Sequence, residues 1–276
     1  MLTRIKHNIA AFTKLLKLSS GCALVELAHY PLKLVPRTMA VPILSGELRG
    51  KRWIVGSAIH QCWLGLYEYE KQQLIARQVR PGTIFYDVGA NVGFYSLQAS
   101  ELVGSGRVFA FEPAPRNLSY LEKHLELNHA ANVEVLAIAI SDQNGTSSFE
   151  TEESGFMVHL SGEGSIAVPT ATLDSLVEEG IVLPPDCVKM DIEGAELLAL
   201  RGGSRTFQRF RPTILLATHS RKLKEECCQL LESWGYEWRG IQGEYGGELG
   251  EFVAEFREQK NIGDGVGGRD ANISPS

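Results

Sequence analysis

Apolar positions along this chain cluster in short runs separated by stretches of helical periodicity. Thr83-Ile-Phe-Tyr86 is the first such run in the central region, and it leads into a glycine-bearing turn. A helical pattern over 94–103 follows, and Arg107-Val-Phe-Ala-Phe111 then reads as a buried strand stopped by Pro113. Leu118, Leu121, Leu125 and Leu127 predict a helix over 117–127, and 133–140 predict a third strand. Residues 147–150 and 165–172 look like short extra strands, an antiparallel appendage. A short helix over 173–179 precedes a fourth strand at 187–191. Next come a helix over 195–201 stopped by Gly202-Gly203, a fifth strand at 213–217, a helix over 222–235, and final strands at Tyr236 and 252–256. Ahead of the first strand, Leu66, Tyr69, Leu74 and Ile75 predict a helix within 65–79. Strand and helix therefore alternate, which is the signature of an α/β fold.

The two ends read differently. Leu2, Ile5, Ile9, Phe12 and Leu16 recur at helical spacing, while Arg4, Lys6, Lys14 and Lys17 interrupt any signal-peptide core. Packing of this stripe on protein is favoured over a membrane-surface contact, because amphipathic helices usually bury their apolar face on protein. The expected organisation is an N-terminal segment, 1–64, packed on a core domain, 65–256. A tail from 257 to 276, rich in Gly, Asp and Asn, is expected to be disordered.

Composition narrows the function classes. The chain has 276 residues and a formal net charge of −6, so it carries no electrostatic footprint for nucleic acid. Cys22, Cys62, Cys187, Cys227 and Cys228 are odd in number and form no Cys-x-x-Cys pair, which fits free thiols in a cytoplasmic, reducing setting. No apolar stretch is long enough to span a bilayer.

The chemistry concentrates in Asp87-Val-Gly-Ala-Asn-Val-Gly-Phe94, between the first strand and the first helix of the core. Gly89 and Gly93 lack Cβ atoms and let backbone approach a ligand closely. The helix start that follows points N–H groups into the crevice. The spacing departs from Gly-x-Gly-x-x-Gly, with Asn91 where a middle glycine belongs, and no Lys-Ser or Lys-Thr follows. A pyrophosphate is thus disfavoured, and Asp87 would repel one. S-adenosylmethionine, with a sulfonium and an ammonium but no phosphate, suits the site better. A turn with no ligand is the plain alternative. Glu112 weakens it, lying about twenty residues on, where an acid reaches ribose hydroxyls.

A second acidic group follows the fourth strand, in Asp191-Ile-Glu-Gly-Ala-Glu196. Glu196 suits a helix-dipole partner. Asp191, at the end of an apolar strand, needs a partner: a ligand ammonium, an acceptor hydroxyl or a metal. The carboxylates alone do not specify a cation site, and no metal is expected.

Taken together, Asp87-Val-Gly-Ala-Asn-Val-Gly93, Ala110-Phe-Glu-Pro113, Ala139-Ile-Ser-Asp142, Thr172-Leu-Asp174, Lys189-Met-Asp-Ile-Glu-Gly-Ala-Glu196 and Gly202 resemble the FkbM family of S-adenosylmethionine-dependent methyltransferases. The resemblance runs from about Gly65 to Tyr236 and includes Gly65-Leu-Tyr-Glu68, which would bring Glu68 near the cofactor. It implies a Rossmann-like class I methyltransferase fold, with a seven-stranded, mostly parallel sheet, helices on both faces and one antiparallel strand near the end. It implies methyl transfer to oxygen on a sugar, glycolipid or natural product. By the same resemblance Gly89, Ala90, Asn91, Gly93 and Phe94 would line the methionine and ribose parts. Glu112 would take the ribose hydroxyls with Pro113 and Asn117 nearby, and Ser141 and Asp142 would border the adenine. The family often places an acid two residues before a histidine after the fifth strand. Here the segment reads Ala217-Thr-His219, so that acid is missing. His219 is the first choice for general base, with Asp191 and Glu193 as alternatives. N-methylation, a nicotinamide-dependent oxidoreductase and a binding module without chemistry are the competing readings. The acceptor is expected to be contacted by 150–169 and by residues before 65, and the oligomeric state is left open.

Overall fold

The structure, a computed structural model, describes residues 35–151, 158–160, 166–241 and 250–257. The apolar stripe at Leu2 to Leu16 and the tail beyond 257 lie outside these residues, as do parts of the 150–169 segment. Five parallel strands form the centre: β3 (Ile84–Val88), β4 (Arg107–Phe111), β5 (Val133–Leu136), β10 (Cys187–Met190) and β11 (Thr213–Ala217). β12 (Tyr236–Gly240) and β13 (Glu251–Phe256) complete a seven-stranded sheet in the order β12-β13-β11-β10-β3-β4-β5, in which β13 runs against its neighbours. This is the seven-stranded, mostly parallel sheet that the family resemblance implied.

The strands read as unbroken apolar runs because both faces of the sheet are covered. Phe85, Val108, Ala110, Cys187, Leu215 and Val253 point to one core. Their neighbours Tyr86, Phe109, Phe111, Val188, Met190, Ile214 and Leu216 point to the other. This alternation is the period-two geometry of a strand. Helices α2 (Tyr69–Gln78), α3 (Phe94–Leu102) and α4 (Pro115–Leu127) cover the first face, with Ile75, Leu97 and Leu121 fully buried. Helices α5 (Leu173–Glu178), α6 (Glu196–Gly202), α7 (Ser204–Phe210) and α8 (Arg221–Ser233) cover the second.

One strand departs from expectation. Residues 133–140 do not form a single third strand. The Ile138 N–H turns back onto the Leu136 carbonyl at 2.9 Å, and β6 (Ala139–Ile140) leaves the main sheet. It pairs instead with β9 (Ile166–Ala171), which also pairs antiparallel with β7 (Gly145–Thr151). With β8 (Val158–Leu160) these form a separate four-stranded sheet, the antiparallel appendage foreseen near 147–150 and 165–172.

The segment ahead of the core is held by His124, together with Asn128 on Arg52 and Arg116 on the Ser57 carbonyl. A short hairpin, β1 (Ala40–Pro42) with β2 (Arg52–Ile54), is followed by α1 (His60–Leu64). Trp53, fully buried, stacks on the His124 ring at 3.9 Å between centroids. The Ile54 N–H donates to His124 Nε2 at 3.1 Å, and Nδ1 lies 2.7 Å from the Val92 carbonyl. Burial pushes His124 down to about 4, so the ring is neutral, with Nδ1–H donating and Nε2 accepting. Among the described residues no helix is long and apolar enough to cross a membrane.

Candidate active site

The C-terminal ends of β3, β4 and β10 meet around a cavity of about 220 Å³. Open α/β sheets bind ligands at this edge. The glycine turn after β3 forms its floor. Gly89 has φ +77°, and a Cβ there would sit 2.0 Å from the Asp191 carbonyl oxygen, so the two strand ends touch backbone to backbone. The Gly89 and Ala90 N–H groups both donate to the Phe111 carbonyl at 3.0 Å. Asn91 takes a left-handed conformation, φ +50°, and its N–H donates to Glu112 Oε2 at 2.8 Å. The turn is thereby bolted to the end of β4.

Glu112 is 5% exposed and lines the cavity. Its Oε1 accepts from the Ala114 N–H at 2.8 Å and from Asn117 at 3.5 Å. Burial pushes the carboxyl above the ordinary value, against the pull of those hydrogen bonds. Oε2, which accepts only from Asn91, keeps a lone pair for a ligand hydroxyl.

The predicted residues separate into two sets. Gly89, Ala90, Asn91, Phe94, Glu112, Pro113, Asn117, Asp191 and Glu193 line the cavity. Asp87, Gly93, Glu68, Ser141, Asp142 and His219 are outside that lining. Asp87 is the one whose place outside the lining has the clearest cause. It is fully buried, its Oδ1 lies 3.2 Å from Lys189 Nζ, and its Oδ2 accepts from Ser96 Oγ at 2.7 Å. The cation it faces belongs to the protein, because Lys189 stands directly opposite it in the β3–β10 register. Lys189 also donates to the Gly89 carbonyl at 2.8 Å, so Asp87 supports the turn from beneath. Gly93 packs against Leu121, away from the cavity. Ser141 and Asp142 fall just past Ile138, Ala139 and Ile140, which line the cavity where adenine was expected. The Ser141 carbonyl instead abuts Gly202, where a Cβ would sit 2.0 Å away.

The second acidic group converges on His219, which follows β11. Its Nδ1 lies 3.0 Å from Glu196 Oε1, and its Nε2 lies 3.1 Å from Glu193 and 3.5 Å from Asp191. The hydrogen bond to Glu196, opposed by burial and helped by the three negative charges, pushes His219 up to about 9. The ring is an imidazolium at neutral pH. Glu196 is more than a dipole partner, for it folds back to accept the Ile192 N–H at 3.1 Å and the Gly194 N–H at 3.1 and 3.2 Å. These bonds hold Glu193 in a left-handed conformation, φ +52°, costing roughly 1–2 kcal/mol. Asp191, Glu196 and His219 carry potential ligand atoms within 4.8 Å of one another. Glu196 Oε1 already accepts from the Ile192 and Gly194 N–H groups and meets the His219 ring, so the trio reads as a loop clamp.

Some functional residues gave no sequence signal. Lys71 of α2 is 3% exposed, with its ammonium 2.7 Å from Glu68 and 3.7 Å from Asp191, and in contact with Glu251. Glu68 also accepts from the Tyr95 hydroxyl at 2.5 Å. Burial alone pushes Asp191 up, but Lys71, Lys189 and His219 outweigh it and hold the carboxyl below its usual value. Ala58, Ile59, Cys62 and Tyr67, from the segment before α2, close the cavity wall.

The family model described as Methyltransferase FkbM domain matches residues 87–238, over half of the chain. A hexuronic acid methyltransferase of Haloferax volcanii is 32% identical over 143 residues, covering 51% of this chain and 58% of that protein. A 2-O-methyltransferase of Sinorhizobium fredii is 27% identical over 160 residues, covering 51% of this chain and 65% of that protein. The chain thus spans less than two thirds of either relative. An FkbM methyltransferase structure from Methylobacillus flagellatus superposes with a TM-score of 0.47 at 17% identity, covering 72% of this chain and 56% of that one. The chain belongs to the FkbM family of S-adenosylmethionine-dependent methyltransferases.

Proposed function

We propose that this protein methylates a hydroxyl of a sugar or another small molecule. One observation carries the reading. A single glycine turn separates a buried carboxylate suited to ribose, Glu112, from an acid–histidine group suited to an acceptor, Asp191, Glu193 and His219. The name of one relative, a hexuronic acid methyltransferase, supports a sugar acceptor, and that of the other, a 2-O-methyltransferase, supports transfer to oxygen. The fit to S-adenosylmethionine rests on two features of the cavity. Gly89 brings backbone close where a methionine chain would pass, and Lys189, the one cationic lining residue among the described residues, is already engaged by Asp87 and so is not free to neutralise a pyrophosphate. Residues 65–256 are read as the catalytic unit, and 35–64 as the addition that walls the cavity. The described cysteines, Cys62, Cys187, Cys227 and Cys228, are buried free thiols, which supports a cytoplasmic setting.

When bound, the cofactor supplies a methyl group activated on sulfur. The chain's own residues position and deprotonate. Glu112 accepts the ribose hydroxyls. Glu112→Gln should weaken binding of S-adenosylhomocysteine roughly 10- to 100-fold, the worth of one charge-assisted hydrogen bond of about 1.5–3 kcal/mol. Calorimetry returning wild-type affinity would remove Glu112 from the ribose.

His219 remains the base, with a condition that sequence did not reveal. In the free protein its proton is held by three carboxylates. A cofactor bringing positive charge beside Asp191 lowers that affinity toward neutrality, where a general base works best. An NMR titration should find the His219 ring near 9 in the free protein and lower in the cofactor complex. His219→Gln should reduce kcat by about 10²- to 10⁴-fold at unchanged cofactor affinity. Turnover that survives this substitution would pass the role to Glu193 or Asp191.

A further inference from the structure

Tyr67 stands in the cavity wall on a segment outside the matched family region, 87–238. Its backbone is held on both sides. Gly65 abuts Ser45, where a Cβ would sit 1.9 Å from the carbonyl oxygen, and the Gln72 amide donates to the Tyr67 carbonyl. Glu68, the next residue, takes a left-handed conformation, φ +41°. Such a residue persists only where its surroundings over-determine it. Here the Lys71 ammonium at 2.7 Å and the Tyr95 hydroxyl at 2.5 Å fix its carboxylate. The turn therefore presents the Tyr67 ring to the cavity already in place.

The ring packs edge to face with Phe94 at 5.2 Å between centroids and tilts against Tyr95 at 6.1 Å. Tyr95 already has two ammonium groups over its ring, Lys71 at 5.5 Å and Lys189 at 5.6 Å. Among the described residues no Lys or Arg stands over the Tyr67 ring. Burial, then the charges of Glu68 and Asp191, push its hydroxyl well above the ordinary value. The side chain is a neutral phenol beside two carboxylates, a setting that favours positive charge.

The sheet order says which positive charge. Asp191, Gly89 and Glu112 follow β10, β3 and β4, which are neighbours in that order. With the ribose at Glu112, the methionine part of the cofactor extends past Gly89 toward β10, the end where Asp191 and Tyr67 lie. Its ammonium can donate hydrogen bonds to carboxylates. Its sulfonium has no N–H or O–H to give, and aromatic faces are the groups that recognise such permanently charged onium centres. We infer that the Tyr67 ring meets the sulfonium and raises the affinity for S-adenosylmethionine relative to its demethylated product. The inference rests on the methyltransferase reading and adds the residue that senses the cofactor's charge.

Calorimetry with S-adenosylmethionine and S-adenosylhomocysteine reads the ratio of the two affinities. No binding of either to the folded wild type defeats the methyltransferase reading itself. Tyr67→Leu removes the ring, and Tyr67→Phe keeps it. The Leu variant should lose about 3- to 30-fold in affinity for S-adenosylmethionine relative to S-adenosylhomocysteine, the range of a cation–π contact. The Phe variant should keep the wild-type ratio within about twofold. An equal loss for both ligands in Tyr67→Leu, or no loss, overturns the inference, because a ring that only packs the wall cannot tell the two apart. So does a Phe variant whose ratio falls as far, which would trace the effect to the hydroxyl. If melting curves show Tyr67→Leu to be unfolded, 3,5-difluorotyrosine in place of Tyr67 takes over its part. Fluorine keeps the ring's shape but drains its negative face, so the ratio should fall in the same direction, and an unchanged ratio overturns the inference equally.

Discussion

Gly89→Ala should abolish S-adenosylhomocysteine binding while leaving a folded but weakened protein. The added methyl would stand 2.0 Å from the Asp191 carbonyl oxygen, 2.9 Å from the carbonyl carbon and 2.8 Å from Ile192 Cγ2. Backbone cannot rotate aside as a side chain can, so the loop carrying Asp191 and Glu193 must move. The residue also sits at φ +77°, which costs an L-residue roughly 1–2 kcal/mol. Overpacking adds about 1–3 kcal/mol. The expected outcome is a destabilisation of about 2–5 kcal/mol, the sum of these two terms. Cofactor affinity should drop by more than about 100-fold, since an ångström of misplacement is that costly in a preorganised site. Gly93→Ala is the comparison. Its Cβ would meet the tip of Leu121, Cδ1, at 2.5 Å, and that methyl can yield, so Gly93→Ala should carry mainly the cost of φ +90°, roughly 1–2 kcal/mol. Melting curves and calorimetry on both variants decide the matter. Wild-type affinity in Gly89→Ala would mean that the turn tolerates displacement and does not form the cofactor floor.

How far the sequence speaks depends on whether a feature is local. Strands β4 and β11 were legible to the residue because both faces are buried and Pro113, Gly106 and Pro212 punctuate them. The break between β5 and β6 was not, since Leu136-Ala-Ile138 continues the apolar run with neither glycine nor proline. Hydrophobic pattern reports burial and is blind to a change of sheet. At the site, Glu112 was legible because its distance from the turn is fixed by one strand–helix–strand unit. The fate of Asp87 was not, because it depends on a register with Lys189, a hundred positions away. The same holds for His219. Its sequence neighbours, Thr218 and Ser220, say nothing of the three acids that keep it charged.

Lys71 is the extreme case of such non-local assembly, and its removal should be the most costly single change among the charged residues here. Lys71→Met keeps the length and apolar stem but leaves Glu68, Asp191 and Glu251 around a thioether. Taking one partner from a buried ion pair costs about 3–5 kcal/mol, and here Glu68 and Glu251 lose their ammonium at once while Asp191 keeps His219. The pH dependence separates electrostatics from packing. In the wild type, Asp191 is held below its ordinary value, so its contribution is present above the unfolded pKa and is lost as pH falls through the folded one. In Lys71→Met the strongest opposing cation is gone, so the Asp191 carboxyl rises from its depressed position although Lys189 and His219 still act on it. Protonation on acidification then comes earlier in the variant and relieves part of its strain. Glu251, which burial already pushes upward, adds to the effect. The stability deficit measured by urea unfolding should therefore be about 3–5 kcal/mol near pH 8 and clearly smaller near pH 5, as far as both proteins remain folded. Lys71→Arg, which keeps the charge, should lose less at both values. A deficit that is the same at pH 5 and pH 8 would show that Lys71 acts by filling space, and the ionic tie between α2, β10 and β13 would have to be abandoned.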